Sequence, residues 1–431
     1  VFNSSFYKDL FWPLPEMIAH DRIEFWAEAA ANSLFGVELK NDPHRLDCDL
    51  TGKFPGRVRE LRLGKFNREA WALRFDFEIL LSLYRSLPAD GYRARQLLRV
   101  MNHAINAYAD NPANAAAARA VLAPELKRPA ADSALAVSAV GHAHIDVGWL
   151  WPVRESVRKA ARTFAGQLEM IRRYTGYVFG ASKPQLYAFV RDAYPELYRK
   201  IKQAVADGRW ELQGGMWVEA DCNITGGEAL VRQFVHGKNF FMDEFGVDVR
   251  NLWLPDVFGY SAALPQIIRK AGCDFFLTQK LSWNQFNTFP YHAFRWRGID
   301  GSEVLTHFPP ENNYNAWATP SELAAGQNRF AEADRCPEFL SLFGLGDGGG
   351  GPSENHLERA VRLENLEGCP RLHFGKAEDF FDRIAPLAGQ LPEWEGELYL
   401  EMHRGTLTTQ ARTKRNNRRL EQLLQIGRAH V

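Results

Sequence analysis

From about residue 134 onward the chain alternates short apolar runs with longer stretches whose apolar residues recur at helical spacing. Runs at 134–140, 177–180, 210–213, 251–254, 275–278, 304–307, 339–345 and 398–402 predict strands. Stretches at 157–174, 194–206, 227–245 and 261–271 predict helices, the second closed by Gly208 and the last by Gly272. Strands separated by helices or long loops have few ways to bury their apolar faces. The alternation therefore predicts a parallel α/β fold, either a barrel or an open doubly wound sheet. The preceding part reads differently. Helices are predicted at 66–87, 92–109 and 113–126, a linker at 129–133, and no cluster of chemically active residues precedes residue 141. Past Thr406 the chain turns basic and helical.

Charge and composition exclude some roles. Lys and Arg total 52, matched by 52 Asp and Glu, so no nucleic-acid partner held by bulk electrostatics is expected. No apolar run reaches the roughly 18–20 residues of a membrane helix, and no membrane partner is expected. Cys48, Cys222, Cys273, Cys336 and Cys369 are scattered, with no Cys-x-x-Cys pair. They read as small buried apolar side chains in a reducing compartment rather than a disulfide framework. The chain begins at Val1, not Met, and ends in Ile-Gly-Arg-Ala-His-Val over 426–431. That hexapeptide matches one reading frame of a widely used sequencing adapter, so it is expected to be foreign, with the chain cut at both ends. Genomic DNA encoding it in frame would overturn this.

Function in parallel α/β folds gathers at the C-terminal strand ends. The first strand leads into His142, His144 and Asp146, which alternation places on one side. Two imidazoles and a carboxylate there begin a divalent metal site. Trp149 and Trp151 follow, flat aromatic faces suited to a sugar. The plainer reading is a strand end with a satisfied core histidine. Asp256 follows the fourth run, either as an ordinary turn or N-cap aspartate or as a metal ligand, a nucleophile or both. Gln279 and Lys280 follow the fifth. Asp347 lies in the glycine-rich stretch 346–352, which is a flexible turn or a loop presenting an acid, with Glu354 as rival. That stretch lacks the Gly-Lys-Ser/Thr ending of a phosphate loop. His403 ends the last run. A lone histidine there is more often structural, but the metal site needs another nitrogen. Glu219, Asp221 and Asn223 alternate to one side near Trp217, or form a solvated loop.

Together the motifs at 141–155, 214–223, 253–263, 278–287, 343–352 and 396–414 resemble glycoside hydrolase family 38, the zinc-dependent retaining α-mannosidases, and most closely its cytosolic and bacterial branch. The resemblance implies a seven-stranded β/α barrel-like catalytic domain over 133–395, a mainly helical accessory region over 1–132, and the start of a helical middle domain over 396–425. It implies metal ligands His144, Asp146, Asp256 and His403, with His142 in support. Asp256 is then also the nucleophile, and Trp149, Phe258 and Lys280 bind substrate. Lys280 stands where the Golgi and lysosomal branch has Arg. The Golgi-type motif has two consecutive aspartates where this chain has Asp347 and Gly348, so Asp347 is carried as the acid/base on proximity alone. The implied cofactor is Zn2+, replaceable by Co2+. The implied substrates are mannose-containing oligosaccharides cleaved at their terminal α-mannose, the implied compartment is the cytoplasm, and a homo-oligomer is allowed in the full-length protein. The rival readings are a metal-dependent amidohydrolase or carbohydrate deacetylase, and a non-catalytic sugar-binding relic.

Overall fold

Residues 66–429 are described by the structure, a computed structural model. Three helices come first: α1 (Arg68–Ser86), α2 (Tyr92–Tyr108) and α3 (Ala115–Leu126). The α/β part follows as β1 (Ala136–His142), α4 (Val153–Arg173), β2 (Phe179–Ala181), α5 (Pro184–Ala193), α6 (Pro195–Ala206), β3 (Trp210–Leu212), α7 (Gly227–Phe245), β4 (Asn251–Trp253), α8 (Leu264–Lys270) and β5 (Phe275–Leu277). The hairpin β6 (Ala293–Arg297) and β7 (Glu303–His307) leads to α9 (Pro320–Arg329), β8 (Glu338–Phe343), α10 (Glu354–Arg362), β9 (Arg371–Phe374), α11 (Ala377–Ile384), β10 (Glu393–Glu395) and α12 (Ala411–Ala429).

These strands form two five-stranded sheets. In one, β3, β2, β1 and β8 lie in that order and all pairs are parallel, with β9 also paired to β1. In the other the order is β10, β6, β7, β5, β4, with only β6 and β7 antiparallel. The described strands therefore do not close as one hydrogen-bonded seven-stranded barrel. Side chains stand in for the ladder at both breaks. After β3 the chain turns at Gly214 (φ 72°), whose N–H donates to the Asn251 side chain at 2.9 Å, and Gly215 donates to the Asn251 carbonyl at 3.1 Å. Between β7 and β8, His307 Nε2 accepts the Leu340 N–H at 3.1 Å.

Seven of the eight expected strands form. The run at 398–402 does not. Its alternation is real, with Leu398 and Leu400 buried and Tyr399 exposed, but its only bridge among the described residues joins Leu398 to Tyr260. Glu401 instead caps a loop, accepting the Phe286 and Asn287 N–H groups at 2.8 Å each.

Both faces of β1 and β8 are covered, which explains runs apolar at every position rather than every second one. One apolar cluster contains Val137 and Val140 of β1, Phe339 and Leu342 of β8, Phe164 of α4 and Phe380 of α11, and also takes in Leu80 and Leu83 of α1, Leu97 of α2 and Leu122 of α3. Asp76 of α1 ties these layers, accepting from Arg119 Nε at 2.7 Å and Arg362 Nε at 2.6 Å. A second cluster, with Leu252, Phe276, Trp296 and Ile268, fills the space behind β4 and β5. No helix among the described residues is long and apolar enough to cross a membrane. Cys222, Cys273, Cys336 and Cys369 are buried and free, and Cys48 lies outside the described residues.

Candidate active site

The first strand delivers the histidines because it can be packed tightly. A Cβ on Gly141 would come within 2.5 Å of the Tyr177 ring, so glycine there lets a fully buried tyrosine lie against the strand. Beyond His142 the strand ends and the chain is stitched to the glycine-rich loop. Asp146 donates its N–H to Asp347 O at 2.9 Å, and Ile145 bridges Gly348. Asp347 itself adopts a left-handed backbone (φ 56°), a conformation that aspartate tolerates better than most residues. The two loops thus form one rim.

His142 and His144 do different things. His142 is fully buried, its Nδ1 3.3 Å from Gly180 O and its Nε2 accepting the Trp253 indole N–H at 3.4 Å. Burial pushes its pKa down to about 3, so it is neutral, and through Trp253 it braces β4, the strand that leads to Asp256. His144 turns its Nε2 toward two carboxylates, 3.5 Å from Asp256 Oδ2 and 3.6 Å from Asp146 Oδ1. That nitrogen is buried and has no hydrogen-bond partner among the described residues. His144, Asp146 and Asp347 each present a ligand atom within 4.8 Å of the others. A divalent ion fits this donor set of one imidazole and several carboxylates. Burial opposes a charge on His144, yet Glu219 first, then Asp146 and Asp256, raise its pKa well above the ordinary value.

The two expected reacting carboxyls sit in opposite environments. Burial works against the charge on Asp256, but His144 and Lys280 overcome it and hold the carboxyl ionised far below its usual range. Lys280 Nζ bonds Asp256 Oδ1 and lies over the Trp283 ring at 3.8 Å and the Phe258 ring at 5.2 Å. Burial raises the pKa of Asp347, and the charges of Asp256 and Asp146 add to that, while His144 and a hydrogen bond from Tyr314 OH at 2.9 Å oppose it.

The remaining expected residues are placed as follows. Phe258 packs on the His403 ring with centroids 4.7 Å apart, and Asn223 Nδ2 donates to Phe258 O at 2.8 Å. His403 has a left-handed backbone (φ 56°) and lies near enough to Lys280 and Asp256 to feel both charges, but outside the group formed by His144, Asp146 and Asp347. Trp149 is 47 % exposed on the rim, edge-on to Trp151 at 5.7 Å. Asp221 caps its own turn through Asn223 and Ile224, and Glu354 is paired with Arg173 at 2.9 Å. Sequence reasoning passed over Lys183, Tyr314 and Trp283. Lys183 stands two residues beyond the end of β2, so the strand-end rule that selected the others applies to it equally.

Residues 134–397 match the N-terminal domain of the glycosyl hydrolases family 38. The chain is 40% identical over 403 residues to alpha-mannosidase G of Dictyostelium discoideum, covering 93% of this chain and 37% of that protein. It is 38% identical over 408 residues to alpha-mannosidase 2C1 of Mus musculus, with 93% and 38% covered. It is 38% identical over 423 residues to the alpha-mannosidase of Saccharomyces cerevisiae, with 91% and 38% covered. The chain thus spans less than two fifths of the length of these relatives. Its fold is similar to that of an alpha-mannosidase from Enterococcus faecalis V583, with a TM-score of 0.53 at 18% identity over 61% of this chain and 31% of that one.

Proposed function

Because the chain belongs to glycoside hydrolase family 38, we propose that it carries the catalytic centre of a retaining exo-α-mannosidase acting on terminal α-mannose of oligosaccharides. The observation that carries this reading is two carboxyls around one cation pocket, Asp256 with its Oδ2 3.5 Å from His144 Nε2 and Asp347 with a ligand atom within 4.8 Å of those of His144 and Asp146, the first with its pKa lowered and the second with its pKa raised. A retaining glycosidase needs one group of each kind, about 5–5.5 Å apart.

In the first step Asp256 attacks the anomeric carbon as the glycosidic C–O bond breaks, and the Asp347 proton passes to the departing oxygen. In the second, the Asp347 carboxylate takes a proton from water. The water oxygen bonds to the anomeric carbon and frees Asp256. Lys280 neutralises Asp256 on the side away from His144 and orients its attacking oxygen. Trp149 offers an exposed flat face to the sugar ring, and Phe258 a second wall. His144, Asp146 and Asp256 would hold the ion, with His403 completing the set and Asp347 close by. Zn2+ is the proposed ion, and Co2+ can replace it. When bound it would polarise and orient sugar hydroxyls as a Lewis acid. The proposal includes a catalytic unit over 133–395, an accessory region before it and the start of a helical middle domain over 396–425. It also includes a cytoplasmic location and a homo-oligomer for the whole protein.

The test is hydrolysis of an aryl α-mannoside by this chain and by the product of the complete gene, beside an acetylated sugar as control. Mannoside cleavage, lost by about a thousandfold or more in Asp256→Asn, is the expected result. Release of acetate without mannoside cleavage would favour the deacetylase instead. Chelation should remove the activity, and added Zn2+ or Co2+ should restore it.

A further inference from the structure

Behind His144, on the side away from Asp146 and Asp256, two charged side chains are buried together. Lys183 and Glu219 have side chains only 3% and 7% exposed, and their Nζ and Oε1 are 3.1 Å apart. They come from different loops, one after β2 and one after β3. Gln185 N donating to Trp217 O at 3.3 Å ties those loops together. Both residues reach the same atom, His144 Nδ1, Glu219 Oε1 at 3.1 Å and Lys183 Nζ at 3.3 Å.

The two demand opposite things of the ring. A carboxylate beside Nδ1 requires a hydrogen there and leaves the lone pair on Nε2. An ammonium beside Nδ1 requires the lone pair there and puts the hydrogen on Nε2. Lys183 is already supplied with acceptors, Ile145 O at 2.5 Å and Glu219 itself. Among the described residues Glu219 has one other donor besides Lys183, Ser182 Oγ at 3.4 Å, and its Oε2 is buried without a partner. The carboxylate therefore takes the Nδ1 hydrogen, and Lys183 serves to hold the carboxylate. Nε2 is then the nitrogen aimed at Asp146 and Asp256, and a divalent ion among them takes the place of the proton that this nitrogen would otherwise carry.

We infer that the buried Lys183–Glu219 ion pair positions the metal centre by fixing the tautomer of His144, so that Nε2 is presented to a divalent ion. The inference rests on the metal-centre reading above. Lys183 and Glu219 are positioning residues. The ion pair also keeps each charge tolerable inside the protein, because either alone would be buried without compensation. Outer partners of this kind typically change metal affinity by about 10–100-fold.

The experiment is Co2+ titration of the metal-free protein, followed by the visible absorption of the bound ion, with the melting temperature of each metal-free variant measured alongside. Glu219→Gln is the direct variant. The double variant Glu219→Gln with Lys183→Met removes both charges at once and guards against an uncompensated lysine unfolding the site. The expected result is one Co2+ bound by the wild type, and affinity about 10–100-fold weaker in both variants, with the double variant melting like the metal-free wild type. Equal affinity in the wild type and both variants would overturn the positioning role while leaving the metal centre standing. A wild type that takes up no Co2+ overturns the metal centre and this inference with it. Weaker binding confined to a variant that also loses its metal-free fold would assign the pair to stability instead.

Discussion

Glu311 carries an unusual burden for a single residue. It is buried, lies beside the Ser341 side chain, and among the described residues neither carboxyl oxygen reaches a well-formed hydrogen bond. Burial pushes its pKa up to about 8 from 4.5. Across that window the folded protein keeps a proton that the unfolded chain gives up, so stability falls as pH rises from the ordinary carboxyl value toward the folded one. Glu311→Gln removes this penalty. Urea unfolding near pH 9 should find the variant more stable than wild type by on the order of a few kcal/mol, and near pH 5 the gap should shrink toward zero. A pH-independent gap would show that the carboxyl is not held neutral. Nothing local in the sequence marks this glutamate, since its neighbours are two prolines and two asparagines. His144 and Asp256 were legible because strand-end position is a local property. The tautomer of His144 was not, because its partners Lys183 and Glu219 lie 39 and 75 positions away.

Helix α7 shows how an element positions the site without touching it. Gly237 sits on its buried side, and a Cβ there would collide with Gly215 O and the backbone of Met216 and Trp217. The close approach sets the path of the segment that delivers Glu219. Helix propensity alone would favour alanine by about 1 kcal/mol. The collision with backbone should reverse the sign, and Gly237→Ala should destabilise the protein by about 1–3 kcal/mol in chemical denaturation. A stabilised variant would mean that the segment yields easily. The periodicity of α7 was fully legible over 227–245, and so were seven strands, because each buries both faces or a continuous stripe. The strands β6, β9 and β10 were not. β6 alternates Phe and Trp with arginine, and its place between β7 and β10 is supported by Glu303 and Glu393, which pair with those arginines from the two neighbouring strands. A run such as 398–402, by contrast, has strand composition but no strand to pair with.

Across the described residues, the helical lead-in and the α/β part share one apolar cluster, and Asp76 is one of the polar joints between them, beside the Glu78–Arg359 pair. Its side chain is 6% exposed and faces two arginines. Asp76→Ala would take one carboxylate from each cation, leaving Arg119 with Glu69 and Arg362 with Glu358. The expected cost is about 1–3 kcal/mol, together with faster limited proteolysis between α3 and β1. Unchanged cleavage would mean that apolar packing alone holds the lead-in. If the cation pocket is occupied, the whole molecule should also melt higher with the ion. At an ion concentration 100 times Kd the gain is about 2.7 kcal/mol, and chelator should remove it in the wild type but not in His144→Ala.

Local pattern alone determined a great deal. It set the α/β class, the helical lead-in, the places of most strands and helices, and the residues that stand at the strand ends. Each of these depends on neighbours a few positions apart, through periodicity, capping and turn chemistry. Tertiary structure decided what no local pattern contains: two sheets rather than one closed barrel, a histidine capping the break between β7 and β8, and which nitrogen of His144 faces the carboxylates. It also set the opposite pKa shifts of Asp256 and Asp347, the first lowered and the second raised. Those depend on burial and on the charges of Lys280, His144 and Asp146, brought together only when distant strands pack side by side.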